Sequence, residues 1–173
     1  GEIPEEEIRR QFLTEPVTGR LVFVDGMFQP QLSDLEAEGV QLSSLRAAMA
    51  RSDRSVLEAL GSVSGVGEHG FAALNLATMQ DGAVVRVTAG VKLERPIELL
   101  CVTTAAAAGQ SLRPRHLIIL EADAQASLVE RYIALDNASY FNNLVCEIQL
   151  AERARFKHQR VQQESRQAYH LSE

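Results

Sequence analysis

The sequence predicts a mainly β chain: a β-solenoid led by a small N-terminal α/β segment. Three observations predict it. Beyond Gly70 the chain breaks into short runs rich in Val, Ile, Leu and Thr, at 71–76, 83–88, 97–104, 116–121, 126–133, 143–150, 154–162 and 167–171. Gly, Pro, Asn and Asp separate them, the pattern of strands and turns. No connection among them has room for a crossover helix, which excludes a doubly wound α/β sheet. Small residues that open an alternating run recur at Ala89, Ala122 and Ala151, which are 122 − 89 = 33 and 151 − 122 = 29 residues apart. That period suits stacked coils with variable loops.

The N-terminal segment, residues 1–62, reads in order as follows. Residues 2–13 predict a helix: Pro4 fits a first turn, Glu5, Glu6 and Glu7 favour its positive end, and Ile8, Phe12 and Leu13 mark an apolar face. Pro16 and Gly19 end it. Leu21–Val24 reads as a strand, Asp25-Gly26 as a tight turn and 27–29 as the returning strand. Ser33 with Glu36 resembles a capping box, although Gly39 follows too soon for a long helix. Leu42, Leu45, Met49, Val56, Leu57 and Leu60 fall at helical spacing and predict one or two core-facing helices over 41–60, with Asp53 as a cap and Gly61 as a stop. The Gly/Ser-rich stretch 61–70 marks the boundary with the β core, 63–173. Gly65, Gly67 and Gly70 form a literal G-x-G-x-x-G. A helix precedes it and no acidic residue lies at 85–93, so it reads as a connection rather than a dinucleotide loop.

Composition narrows the function. The chain of 173 residues carries 17 basic and 23 acidic side chains, a net charge of −6. That balance argues against general nucleic-acid binding. No apolar run approaches the roughly 20 residues of a membrane span, and the acidic start lacks the basic, then apolar, pattern of a signal peptide. A cytoplasmic protein is expected. Gly1 stands where an initiating Met would, so the sequence reads as a piece of a longer chain. Cys101 and Cys146 sit in apolar or alternating runs, without zinc or disulfide spacing, and read as small buried hydrophobes. His69, His116, His158 and His170 are scattered. His158 and His170 could meet on neighbouring strands, but no carboxylate or thiolate pattern joins them to make a metal site. Glu130, Arg131, Glu147, Arg153, Arg155 and Lys157 read as a solvated sheet face. Asn137-Ala138-Ser139 reads as a turn, not a glycosylated site. No nucleophile elbow, H-E-x-x-H or phosphate loop is present.

The order of several segments carries a resemblance. These are Phe71-Ala72-Ala73-Leu74-Asn75, Asp81-Gly82, Gly90–Ile97, Arg115–Leu120, Ser127–Tyr132, Tyr140–Asn143, Glu147-Ile148 and Ala154–Gln162. Over residues 20–173 the chain resembles the SufB/SufD family of iron–sulfur cluster assembly proteins, on its SufD side. The resemblance implies a right-handed parallel β-helix, here its first coils. It implies a scaffold subunit, not an enzyme by itself, in a complex with a SufB-like paralogue and a SufC-like ATPase. The cluster would be assembled by the whole complex, with no cofactor held by this chain. No residue matches the family's interface Cys and His positions, so no catalytic, cofactor-binding or metal residue is carried over. A chain that stops partway through a β-helix is expected to self-associate through its open strands at 154–171. Two rival readings remain: a β-solenoid interaction module without an iron–sulfur role, and a β-helix carbohydrate-active enzyme using Glu130 and Glu147 as paired carboxylates.

Overall fold

A computed structural model describes residues 3–63 and 70–173. In chain order its elements are α1 (Glu5–Arg9), β1 (Gly19–Val24), β2 (Met27–Phe28), β3 (Val40–Ser44), α2 (Leu45–Ala50), α3 (Arg54–Ala59) and α4 (Gly70–Thr78), then β4 (Ala83–Val87), β5 (Ile97–Thr103), β6 (Ser111–Leu112), β7 (Arg115–Leu120), β8 (Gln125–Ala134), β9 (Phe141–Leu150), β10 (Arg155–Gln163) and β11 (Tyr169–Ser172). From β4 onward the long strands alternate between two sheets. The first sheet runs β10-β8-β5-β1-β2 and the second β11-β9-β7-β4-β3, with β6 beside β9. Each is parallel except at one end: β1 pairs with β2 and β3 with β4 antiparallel.

Period-two alternation decides what each strand buries. Leu21 and Phe23 of β1, Val85 and Val87 of β4, Leu99 of β5, Ile118 and Leu120 of β7 and Leu128 of β8 meet in one core between the sheets. The intervening residues face outward and are covered in turn. Val22, Val24, Leu100 and Val102 pack with Ile8 of α1 on the first sheet. Val84 and Leu117 pack with Leu45 and Ala48 of α2 and Val56 and Ala59 of α3 on the second. Strands buried on both faces read as unbroken apolar runs such as Leu99–Val102, as parallel sheets require.

This arrangement corrects the expected right-handed parallel β-helix. The chain is mixed α/β, with two separate sheets, each of mixed direction, and short helices on their outer faces. The repeat that suggested coils has a more local meaning. The turns at Gly90, Asp123 and Arg153 adopt φ of 75°, 61° and 58°. They lie side by side, with Gly90 N–H donating to Ala122 O and Asp123 N–H to Glu152 O. The period thus marks stacked turns at one end of two sheets, while antiparallel β2 and β3 and the helices fall outside it.

Other elements depart from expectation in identifiable ways. The run 71–76 is helix α4, not a strand, since its Ala and Leu serve either element. Residues 40–44 are β3, and the helices begin only at Leu45, capped by Ser44 Oγ accepting from Ala47 N–H. Met49 and Leu57 of the expected core stripe are exposed. Asp53 caps α3 as expected, accepting from Val56 N–H, and Gly61 follows with φ 75°. The 25–26 turn holds the β1–β2 hairpin in the register Phe23 opposite Phe28. Ser33 caps no α-helix; its hydroxyl accepts from Val22 N–H and donates to Gln29 O. Gly65, Gly67 and His69 lie outside the described residues.

Gly82 allows the closest backbone approach. A Cβ there would stand 1.7 Å from the carbonyl oxygen of Arg115. Gly82→Ala must therefore push β4 from β7. The expected loss is about 2–4 kcal/mol in urea unfolding, against well under 1 kcal/mol for Gly70→Ala at the start of α4, where a Cβ meets nothing within 4 Å.

Candidate functional site: a polar cluster between the sheets

The core between the sheets changes character along β8. Ala126 and Leu128 face inward among apolar residues, and the next two inward positions are Glu130 and Tyr132. Register brings their partners alongside. Arg160 lies opposite Glu130 and Cys101 opposite Tyr132. In the second sheet Cys146 lies opposite His116.

The hydrogen-bond directions can be assigned. Ala83 N–H donates to His116 Nδ1 at 2.9 Å, so the ring proton sits on Nε2. That nitrogen lies 3.1 Å from Tyr132 Oη and donates to it. Tyr132 donates in turn to Glu130 Oε1 at 2.5 Å. Glu130 Oε2 accepts from His158 Nε2 at 2.6 Å and from Arg160 Nε at 3.1 Å. His116 and Glu130 are fully buried, whereas His158 and Arg160 are partly exposed at the edge of the first sheet. One chain of bonds thus runs from that edge to the backbone of β4.

Electrostatics follow from burial and partners. Burial alone would raise the Glu130 carboxyl. The hydrogen bond from His158, with His116, Arg160 and Tyr132, outweighs it and pulls the carboxyl down to about 2. Burial holds His116 down at about 4, so it is neutral at pH 7. Burial, then the Glu130 charge, pushes the Cys146 thiol up to about 12 and the Cys101 thiol well above its ordinary value. Both cysteines are protonated at neutral pH, the inert form. Among the described residues no three His, Cys, Asp or Glu side chains converge to hold a metal ion.

His158 and His170 serve different carboxylates. His170 Nδ1 lies 2.5 Å from Glu164 Oε2, and Tyr140 Oη donates to Glu164 Oε1 at 3.0 Å. The ring of His170 meets Tyr132 edge-on, centroids 5.0 Å apart. Glu130 and Glu147, expected on a solvated face, are both buried, Glu130 between the sheets and Glu147 on the outer side of the second sheet. Glu147 lies under α4, where its Oε1 accepts from Arg115 Nε at 2.7 Å. It also accepts from Gly61 N–H and Val63 N–H. The two carboxylates cannot flank one sugar bond. Of the other expected solvated charges, Arg153, Arg155 and Lys157 are exposed, while Arg131 is held by the carbonyl of Gln11 and by Glu98. Asn137 sits in the turn before β9, accepting from Ser165 Oγ.

Sequence reasoning missed Tyr132, Arg160, Arg115 and Glu164. For the first two a signal was present: Glu130 and Tyr132 share the phase of Ala126 and Leu128, and Arg160 that of Phe156.

Fold and site together define a two-sheet α/β protein whose polar chemistry is internal. Comparison with known proteins then places it. The family model for the SufBD protein N-terminal region matches residues 14–99. The model for the SUF system FeS cluster assembly SufBD core domain matches residues 102–173. The chain is 33% identical over 171 residues to an iron–sulfur cluster assembly SufBD family protein of Synechocystis, covering 93% of this chain and 38% of that protein. It is 26% identical over 156 residues to the iron–sulfur cluster assembly protein SufD of Escherichia coli, covering 88% of this chain and 34% of that one. The chain belongs to the SufBD family and spans about a third of the length of these two relatives.

Two outcomes test the geometry. Unfolded His116 takes up a proton near 6.5 and folded His116 only near 4; unfolded Glu130 does so near 4.5 and folded Glu130 near 2. In both cases the unfolded state binds more protons, so stability is full above pH 6.5 and falls on acidification. Urea midpoints should drop between pH 6.5 and 4, and His116→Gln should flatten that interval. Glu147→Ala strands the Arg115 guanidinium in the interior and should cost about 3–5 kcal/mol in the same assay.

Proposed function

We propose that the protein containing this chain is a cytoplasmic scaffold subunit of iron–sulfur cluster assembly, acting with a SufB-like paralogue and a SufC-like ATPase and not catalytic alone. One observation carries this reading: two successive models of one family match 14–99 and 102–173, nearly the whole chain and in the family's order. The names of both relatives, in Synechocystis and Escherichia coli, refer to iron–sulfur cluster assembly.

The site's chemistry agrees with a scaffold. The thiols are protonated, the one fully buried imidazole of the relay is neutral, and Glu130 is bonded through both oxygens. The relay from Ala83 N–H through His116, Tyr132 and Glu130 to His158 and Arg160 bonds its members to one another across the sheets. The separation of Glu130 from Glu147 argues against the carbohydrate-active reading. No helix among the described residues is long and apolar enough to cross a membrane.

The test is a tagged pull-down of the full-length gene product from its native host, read by mass spectrometry. Recovery of an ABC-type ATPase and a paralogue of this chain is the expected result; recovery of neither overturns the scaffold reading. Separately, β10 and β11 end their sheets with one unpaired edge each. We expect residues 1–173 alone to self-associate through these edges at tens of micromolar, and a monomeric mass by light scattering would refute this.

A further inference from the structure

The outer corner of the first sheet gathers more cations than acids: Lys92, Arg153, Arg155 and Lys157 line it together with Glu94 and Asp123, and the charge of Lys92 acts on Asp123. Lys92 bridges to Gln125, Gln125 pairs with Arg155, and Ser127 pairs with Lys157. Lys92, Arg155 and Lys157 are therefore neighbours on one face, and all three are exposed. Among the described residues none makes an ion pair or a side-chain hydrogen bond, although the chain has six more acidic than basic residues. The nearby Arg153 is occupied: its guanidinium grips both oxygens of Asp123, at 2.7 and 2.8 Å. Two open grooves, of about 550 and 540 Å³, meet at Gln125 and Arg155. Like charges placed together on a sheet repel, and with Asp123 gripped by Arg153 the corner keeps a local positive excess that an acidic ligand would relieve.

We propose that this corner docks an extended acidic segment of a partner polypeptide. Alternate residues of a strand stand about 6.6–6.8 Å apart, and neighbouring strands about 4.8 Å. Carboxylates at every second position of an extended segment therefore match Arg155 and Lys157, while Lys92, two strands away, sets the width. Nucleic acid fits less well. Single strands bind where aromatic rings offer stacking beside the cations, and here Phe156 turns inward to pack on the core. The overall negative charge also repels a polyphosphate, whereas a short acidic segment feels mainly the local patch, within a Debye length of about 10 Å.

The experiment is fluorescence anisotropy of a fluorescein-labelled (Glu-Thr)4 peptide titrated with the full chain, beside an octathymidylate of the same length. Saturable peptide binding is expected, weakening at least about tenfold between roughly 50 and 300 mM NaCl. The double substitution Arg155→Ala/Lys157→Ala should weaken it by a similar factor while circular dichroism and the urea midpoint stay at wild-type values. Lys92→Ala should have a smaller effect in the same direction. The proposal is overturned by absence of saturation at the lower salt, by equal binding to the double variant, or by tighter binding of the oligonucleotide. None of these outcomes depends on a role in cluster assembly.

Discussion

Arg115 and Glu147 meet beneath α4 with almost no exposure, 0% and 1% of their side chains. An ion pair so buried persists only when every remaining donor finds an acceptor, and here the surroundings supply them. Arg115 also donates to Asn75 Oδ1, and Asn75 donates in turn to the carbonyls of Pro114 and Asn143. The second oxygen of Glu147 binds the backbone after α3. One pair thereby ties α3, α4, β7 and β9 together. Its position depends on Gly82, whose missing side chain lets the Arg115 backbone close against the start of β4. Asp81, one residue earlier, holds α2 by accepting from Arg46 N–H. The helical layer is thus fastened at a few polar points as well as by the apolar contacts of α2 and α3 with Val84 and Leu117.

A similar device works on the opposite side. Glu98 points outward from β5 with no exposure and accepts from Arg20, Arg131 and Leu13 N–H. It anchors the chain after α1 to the first sheet. Between the sheets, Glu130 gathers Tyr132, His158 and Arg160. Each layer of the molecule is therefore pinned by one buried carboxylate, and each carboxylate is bonded through both oxygens. Apolar packing alone would tolerate sliding of layers; bidentate bonds to fixed donors specify a single register.

How legible this was depends on which force sets each feature. Strands governed by period-two burial were visible: seven of the eight runs foreseen beyond Gly70 are strands. The exception, 71–76, is helical because Asn75 and Ala72 must meet Arg115, a tertiary demand that local composition does not encode. The parallel β-helix expected from the repeat and the resemblance fails because a period records where turns stack, not how many sheets form or which way β2 and β3 run. The buried carboxylates were misjudged because charge was read before phase. Glu130 follows Leu128 by two positions, and that spacing alone puts it inside. Glu147 was harder: its cover is α4, which arrives from 70 residues earlier in the chain.

The alternation of strands between sheets has a consequence for how the molecule comes into being. No parallel neighbour is near in sequence: Gly19 pairs with Ile97 and Ile97 with Leu128. Every parallel rung closes a loop of about thirty residues or more before its bonds return anything. Such topologies fold slowly. On a ribosome β1 must wait, apolar on both faces, until β5 has emerged nearly eighty residues later. The β1–β2 hairpin, an antiparallel contact available at once, gives β1 its first companion, and α1 can shield its outer face through Ile8. The local elements at the start of the chain thus act as a holding arrangement for a strand whose parallel neighbour is made much later.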